Sequence, residues 1–193
     1  MLRVRLIGEL ALEVDGSGIP PPPSRRARSL LAWLALHPGL HSRSELAARF
    51  WPDVLDASAR TSLRSALMTL RNELGPVAGA HLVTTRDSIG FPRDGDVRVD
   101  AVEFAALTAA GDCERALELG EGELLPGLDD DWVYAARDEH RDLLMAAYGR
   151  LADGAEEKGD LAAAARWTRH LAAHDPLSED AHRELIRRLA ARA

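Results

Sequence analysis

The chain has 193 residues, 24 of them basic and 31 acidic, a net charge of −7 with histidine neutral, and is 46% hydrophobic. That is enough apolar material for two small cores, and two small domains fit the length best. No run approaches the ~18 apolar residues needed to cross a membrane, and Met1 is not followed by a signal-peptide apolar region. The single cysteine, Cys113, excludes an internal disulfide framework and suits the reducing cytoplasm. The charge is divided unevenly. Residues 1–96 hold 12 arginines and 10 acids, whereas residues 97–193 hold 12 basic and 21 acidic side chains. The net negative charge therefore does not exclude a polyanionic partner for the first half, and the acidic half is left for protein contacts.

From the N-terminus, Leu2, Val4 and Leu6 alternate with Arg3 and Arg5, and Leu10, Leu12 and Val14 alternate with Ala11 and Glu13. This predicts two short strands joined around Gly8-Glu9, with a turn at Asp15 to Gly18 and a third short strand at Ile19. Pro20 to Pro23 read as a stiff connection rather than a polyproline ligand. Ser24 to Leu36 form a helix capped by Ser24 and ended by His37-Pro38-Gly39. Ser42 with Glu45 is a capping box that opens a short helix stopped by Pro52. Asp56 or Ser58 then caps a longer helix, Ala57 to Gly75.

This longer helix has two faces. Leu63, Leu67, Leu70 and Leu74 make an apolar stripe. Arg60, Arg64 and Arg71 cluster beside it, and Thr61, Ser65, Met68 and Asn72 fall roughly opposite, with no acid among them. Downstream, Leu82 to Thr85 and Ser88 to Phe91 flank Arg86-Asp87 as a hairpin with a cation near its tip. Strands, then helix, short helix, long helix and hairpin is the order of an OmpR-like winged helix-turn-helix, an α+β fold. Its third helix enters the major groove and its hairpin lies along the backbone or minor groove.

The second half reads as helices alone. They run from Val102 to Ala110, Cys113 to Leu119, Trp132 towards Lys158, Leu161 to His174, and onward from Ser178. Glu121 to Asp131 is irregular. Ala147 and Ala181, like Leu151 and Leu185, are 34 residues apart, the period of tetratricopeptide hairpins, and Gly111-Asp112 and Gly159-Asp160 mark equivalent turns. The expected domains are thus 1–96 and a tetratricopeptide-like 97–193. The last helix should pack on the Leu161 helix through Leu185, Ile186 and Leu189. It lacks a second helix, so the domain is expected to be C-terminally incomplete or a naturally short form. Its outer edge should be covered by self-association in a homodimer or frayed near Ala190 to Ala193.

Arg25-Arg26-Ala27-Arg28-Ser29-Leu30-Leu31-Ala32, Ser42-Arg43-Ser44-Glu45-Leu46, Phe50-Trp51-Pro52 and Ala59 to Leu67 running on to Leu70-Arg71 resemble the SARP and AfsR-like activators of high-GC bacteria. Leu124 to Trp132 and Asp175 to Arg183 resemble the bacterial transcriptional activator domain that follows in that family. Thr69 and Asn72 stand where many relatives carry further arginines, which implies weaker phosphate binding. The resemblance implies a sequence-specific regulator that binds double-stranded DNA and activates by recruiting RNA polymerase, with the Pro52 to Asp56 loop as a polymerase contact. Arg60, Arg64 and Arg71 are expected on phosphates or guanine edges, Thr61, Ser65, Met68 and Asn72 on bases, Arg86 on the wing, and Arg25, Arg26 and Arg28 on phosphates. Two other readings fit part of the pattern: a tetratricopeptide-like protein-interaction adaptor, and the regulatory front end of a larger signalling ATPase or cyclase. An acid-free recognition face favours DNA over the adaptor.

Chemistry of other kinds is not expected. Asp129-Asp130-Asp131 lacks calcium-loop spacing and better serves the dipole of the Trp132 helix. His170 and His174, even with His140 or His182, do not make a zinc-protease pattern and read as a solvated helix face. Trp51 and Trp132 read as core anchors, and Cys113 as a small helix residue. There is no glycine-rich phosphate loop, nucleophile elbow or paired-carboxylate pattern. No catalytic residue, metal or cofactor is expected.

Overall fold

The computed structural model describes residues 1–191. In chain order its elements are β1 (Leu2–Arg5), β2 (Ala11–Val14), β3 (Ser17–Ile19), α1 (Arg25–Leu36), β4 (His41–Ser42), α2 (Arg43–Phe50), α3 (Asp56–Gly79), β5 (Val83–Thr84), β6 (Ser88–Gly90) and β7 (Val97–Val99). Five helices follow: α4 (Asp100–Ala110), α5 (Cys113–Leu119), α6 (Asp131–Glu157), α7 (Leu161–His174) and α8 (Glu179–Ala190). They divide into two compact units. The first comprises Met1–Val102 with Leu124–Val133, and the second Glu103–Glu123 and the chain from Tyr134 onward.

In the first unit the predicted alternation produces a four-stranded sheet in the order β3-β2-β1-β7. Leu2 and Val4 of β1 face Val14 and Leu12 of antiparallel β2, and β7 pairs parallel on the other side. Leu2, Val4, Leu12 and Val14 are buried, while Arg3 and Arg5 are exposed. The β2–β3 connection is a two-residue turn with both φ values positive, 49° at Asp15 and 82° at Gly16. Asp-Gly suits that left-handed turn, whose twist matches the flanking strands.

Helix α1 begins as predicted, with the Ala27 amide donating to Ser24 Oγ. The next two starts differ from expectation. Ser42 does occupy the cap of α2, but its hydroxyl bonds to Ser44 Oγ at 2.7 Å and makes no capping bond, so the capping box is not formed. Glu45 acts there only through its charge in the first turn. Helix α3 starts earlier than read: Leu55 is its cap, and Asp56 lies in the first turn without a side-chain capping bond. The regular helix ends at Gly75 (φ 67°, ψ −177°), and Pro76 starts the short final turn.

A second sheet, β4-β6-β5, closes beside these helices. His41 pairs with Ile89, and Thr84 with Ile89 on the other side. Gly90 (φ 158°) admits no side chain, since a Cβ there would lie 1.9 Å from the Gly39 carbonyl oxygen. Leu63, Leu67, Leu70 and Leu74 of α3 are all buried, as are Leu30, Leu31, Leu34, Leu46 and Phe50, and α3 packs on both α1 and α2.

The stretch Leu124–Val133 completes this unit. Leu124, Leu125 and Leu128 are buried, and the Leu125 amide donates to the Leu6 carbonyl at 2.8 Å. Trp51 and Trp132 are half-buried, contrary to the core-anchor reading; the buried indole is Trp33. The Trp132 Nε1–H donates to the hydroxyl of buried Ser29, which fixes the ring while leaving one side open. Asp100 accepts from the Leu6 and Ile7 amides and from Ala101, and burial pushes its carboxyl above the usual range.

The second unit is helical, with turns at Gly111 (φ 84°) and Gly159 (φ 77°) as read from the sequence. Its core is built from Phe104, Ala116, Leu144, Ala147, Tyr148, Ala152, Ala164 and Ala165. Of the positions spaced by 34, Ala147 is buried and Leu151, Ala181 and Leu185 are half-buried. Helix α8 does pack on α7, but of the three expected side chains only Leu185 is half-buried. Ile186 is 68% exposed and Leu189 37% exposed. The inward position between them belongs to Arg188. Its Nη1 donates to Thr168 Oγ1 at 2.7 Å and its Nη2 to Asp153 at 2.6 Å; its Nε donates to Glu156 at 3.0 Å and lies 2.9 Å from Glu184. Charges, with Leu185, hold this helix. Ala190 ends α8 and Ala191 caps it; the rest of the expected frayed segment, Arg192 and Ala193, lies outside the described residues. Among the described residues, no helix is long and apolar enough to cross a membrane.

Candidate nucleic-acid interface

Because α3 buries one leucine stripe, every other side chain on it is directed by the 3.6-residue period. Arg60, Thr61, Arg64, Ser65, Met68, Arg71 and Asn72 are all exposed on this one helix. Arg60 lies 3.8 Å from Asp56, an exposed pair of the kind that contributes little and is readily exchanged for a phosphate. Among the described residues, no carboxylate pairs with Arg64 or Arg71. The Thr61 hydroxyl donates to the Ala57 carbonyl at 2.9 Å, so its own proton is already committed.

The hairpin beside this helix is tightly built. Thr85 Oγ1 accepts from the Asp87 and Ser88 amides, which folds the four-residue turn and leaves Arg86 exposed at its tip. Arg43, at the start of α2, donates from Nη1 to the Thr85 carbonyl at 2.9 Å, and its amide bonds to the Asp87 carbonyl. Arg43 is a positioning residue that the sequence did not single out. A lone arginine in a capping segment carries no signal that it will reach a turn 42 residues away.

Arg25, Arg26 and Arg28 are placed differently from the arginines of α3. Arg25 lies 3.5 Å from Asp129, and Arg26 lies 3.2 Å from Asp130 with its guanidinium 5.5 Å from the centre of the Trp51 ring. Arg28 is half-buried, with its Nε enclosed. The Asp129-Asp130-Asp131 run thus serves two ends: Asp131 occupies the first turn of α6, and its two neighbours hold the cations of α1. Arg26, Arg49, Phe50, Trp51, Pro52 and Trp132 line an open groove of about 600 Å³. The 51–55 connection at its edge exposes Val54 and Leu55, the latter by 82%.

In the second unit the His170 and His174 rings stack on buried Tyr148, with centroids 5.1 and 5.6 Å away, while His174 stays exposed and His170 partly so. The Tyr148 hydroxyl donates to Glu121, and burial with that carboxylate raises its pKa well above the usual value. His140 packs edge-on to Phe104, and burial lowers its pKa. Among the described residues, no group of three or more His, Cys, Asp or Glu is arranged to hold a metal.

The fold is similar to that of a solved bacterial protein. EmbR of Mycobacterium tuberculosis, in complex with a low-affinity phosphopeptide, superposes with a TM-score of 0.73 at 23% identity, over 97% of this chain and 54% of EmbR. At that identity the likeness is one of fold, and the chain spans about half the length of EmbR. The family match lies in the second half, where the bacterial transcriptional activator domain matches residues 96–193. The chain belongs to that family, and the SARP-like activator resemblance stands with it. No curated protein matches the chain.

Proposed function

We propose that this transcriptional activator binds double-stranded DNA in a sequence-specific manner through an OmpR-like winged helix-turn-helix formed by its first unit. The observation that carries the reading is the outer face of α3. From Ala57 to Asn72 the helix bears three exposed arginines and four exposed side chains suited to base edges, with no acid, over a leucine stripe that is wholly buried. A helix so divided can enter a major groove without burying a like charge. Arg60, Arg64 and Arg71 would hold phosphates or guanine edges, Thr61, Ser65, Met68 and Asn72 would meet the bases, and Arg86 on the β5–β6 hairpin would reach the backbone. Arg25 and Arg26 reach phosphate only by leaving Asp129 and Asp130, and Arg28 is the least available of the set.

Activation would use protein surfaces elsewhere. The exposed Val54 and Leu55 in the connection before α3 suit a contact with RNA polymerase. The tetratricopeptide-like helical unit, with Leu177 and Ile186 exposed, suits a second protein contact or a homodimer. The test is selection of duplexes from a random library by the whole chain, then anisotropy titrations of a selected duplex over a range of salt. A log–log slope of about −0.9 per phosphate held is expected. An affinity indifferent to salt would refute the role given to the arginines.

A further inference from the structure

We propose that Met68 reads the C5-methyl group of a thymine, making it a specificity-determining residue at the centre of the recognition face; this rests on the DNA-binding reading above. Met68 is 64% exposed, an unusual position for a large apolar side chain on so polar a surface. Its neighbours one turn away along the helix are Arg64, Ser65, Arg71 and Asn72, so no apolar side chain of that face covers it. The other strongly exposed apolar residues of this stretch lie elsewhere: Leu55 precedes the helix, and Val77 follows the break at Gly75.

The chemistry narrows the target. A thioether has no proton to donate to the carbonyl and ring-nitrogen groups that distinguish base pairs, and it accepts only weakly from their amino groups. The apolar group on the major-groove edge is the thymine methyl. Arg64 and Arg71, one turn before and after it on the same flank, hold the helix against phosphates and bring the central side chain to the base edges, and an unbranched, polarisable chain adapts to a methyl at that depth. Thr61 is the other methyl-bearing residue of the face. With its proton given to Ala57, it offers bases only lone pairs and its methyl. It lies seven residues, about 10 Å, from Met68 along the helix axis, too far for both to meet the same methyl.

The test uses a duplex selected by the whole chain, with each thymine replaced in turn by uracil, a change that removes only the methyl. Wild-type protein should lose about fourfold in affinity at one thymine, the value of one apolar carbon withdrawn from water. Met68→Gln should bind the thymine and uracil duplexes equally at that position, while Thr61→Ser should keep the fourfold difference there. A uracil penalty that persists unchanged in Met68→Gln, or no penalty anywhere in the wild type, overturns the assignment. Failure of the wild type to bind any selected duplex is a different result: it overturns the DNA-binding reading itself, and this inference with it.

Discussion

Two substitutions three residues apart on α3 should damage the protein in opposite ways. Leu67 is 4% exposed, on the stripe that packs against α1 and α2. Truncation to alanine removes three carbons from a site whose neighbours Leu63 and Leu70 are themselves fixed in the core, so little collapse can fill the space. The expected cost is about 2–5 kcal/mol, a fall in Tm of about 8–20 °C at roughly 4 °C per kcal/mol for a unit of this size. Arg64 is exposed and, among the described residues, has no ion-pair partner to lose. Arg64→Ala should alter stability by no more than about 0.5 kcal/mol while weakening specific DNA binding about 5- to 150-fold, the range of one arginine–guanine pair. Thermal denaturation followed by circular dichroism reads the first effect, and anisotropy on a selected duplex reads the second. The decisive outcome is the cross-term. An Arg64→Ala protein that melts early, or a Leu67→Ala protein that is fully stable, would mean that α3 presents the wrong face and that the proposed interface must be redrawn.

The acidic run offers a second check: replacing Asp129 and Asp130 by asparagine frees Arg25 and Arg26, so non-specific DNA affinity should rise and its salt slope steepen by about 0.9 for each arginine that reaches a phosphate. An unchanged slope would remove both residues from the interface. In the helical unit, Arg188→Met should cost about 1.5–3 kcal/mol, the value of charge-assisted hydrogen bonds whose carboxylate partners can return to water, seen as faster amide exchange in α8. Glu156 and Glu184 give the same contact a pH dependence. Arg187, followed by Arg188, holds both carboxyls below the usual range. Their contribution is therefore complete above the ordinary glutamate value of ~4.3 and is lost as pH falls through the depressed values in the folded protein. Amide protection in α8, taken relative to the intrinsic exchange rate at each pH, that is already low at neutral pH and unchanged on acidification would contradict this.

What could be read from the sequence depended on how local the deciding interactions are. The three N-terminal strands, the turns at Gly111 and Gly159 and the faces of α3 follow from alternation, glycine placement and helical period, each decided within one or two turns of chain. Ser42 caps α2 as its sequence suggests, but the capping box fails because Ser44 takes the hydroxyl; at α3, Asp56 and Ser58 have suitable side chains in the right window, yet the helix starts from Leu55 with no side-chain capping bond. The stretch 121–131 reads as an irregular connection because its leucines, Leu124, Leu125 and Leu128, have no period. What orders them is the chain just after β1, 119 residues earlier, where the Leu125 amide donates to the Leu6 carbonyl. Arg43 and Arg188 were invisible for the same reason: in sequence each is one arginine among many. The packing of α8 shows the limit most clearly. An amphipathic pattern says that a helix has an apolar side, but it does not say that this side faces inward. Three helices bring Asp153, Glu156, Thr168 and Glu184 around one guanidinium, and that arrangement turns Arg188 inward and leaves Ile186 outside. The Met68 assignment depends on the same distinction, because an apolar side chain that its own fold leaves uncovered on a face framed by arginines has its partner, if anywhere, in the molecule those arginines hold.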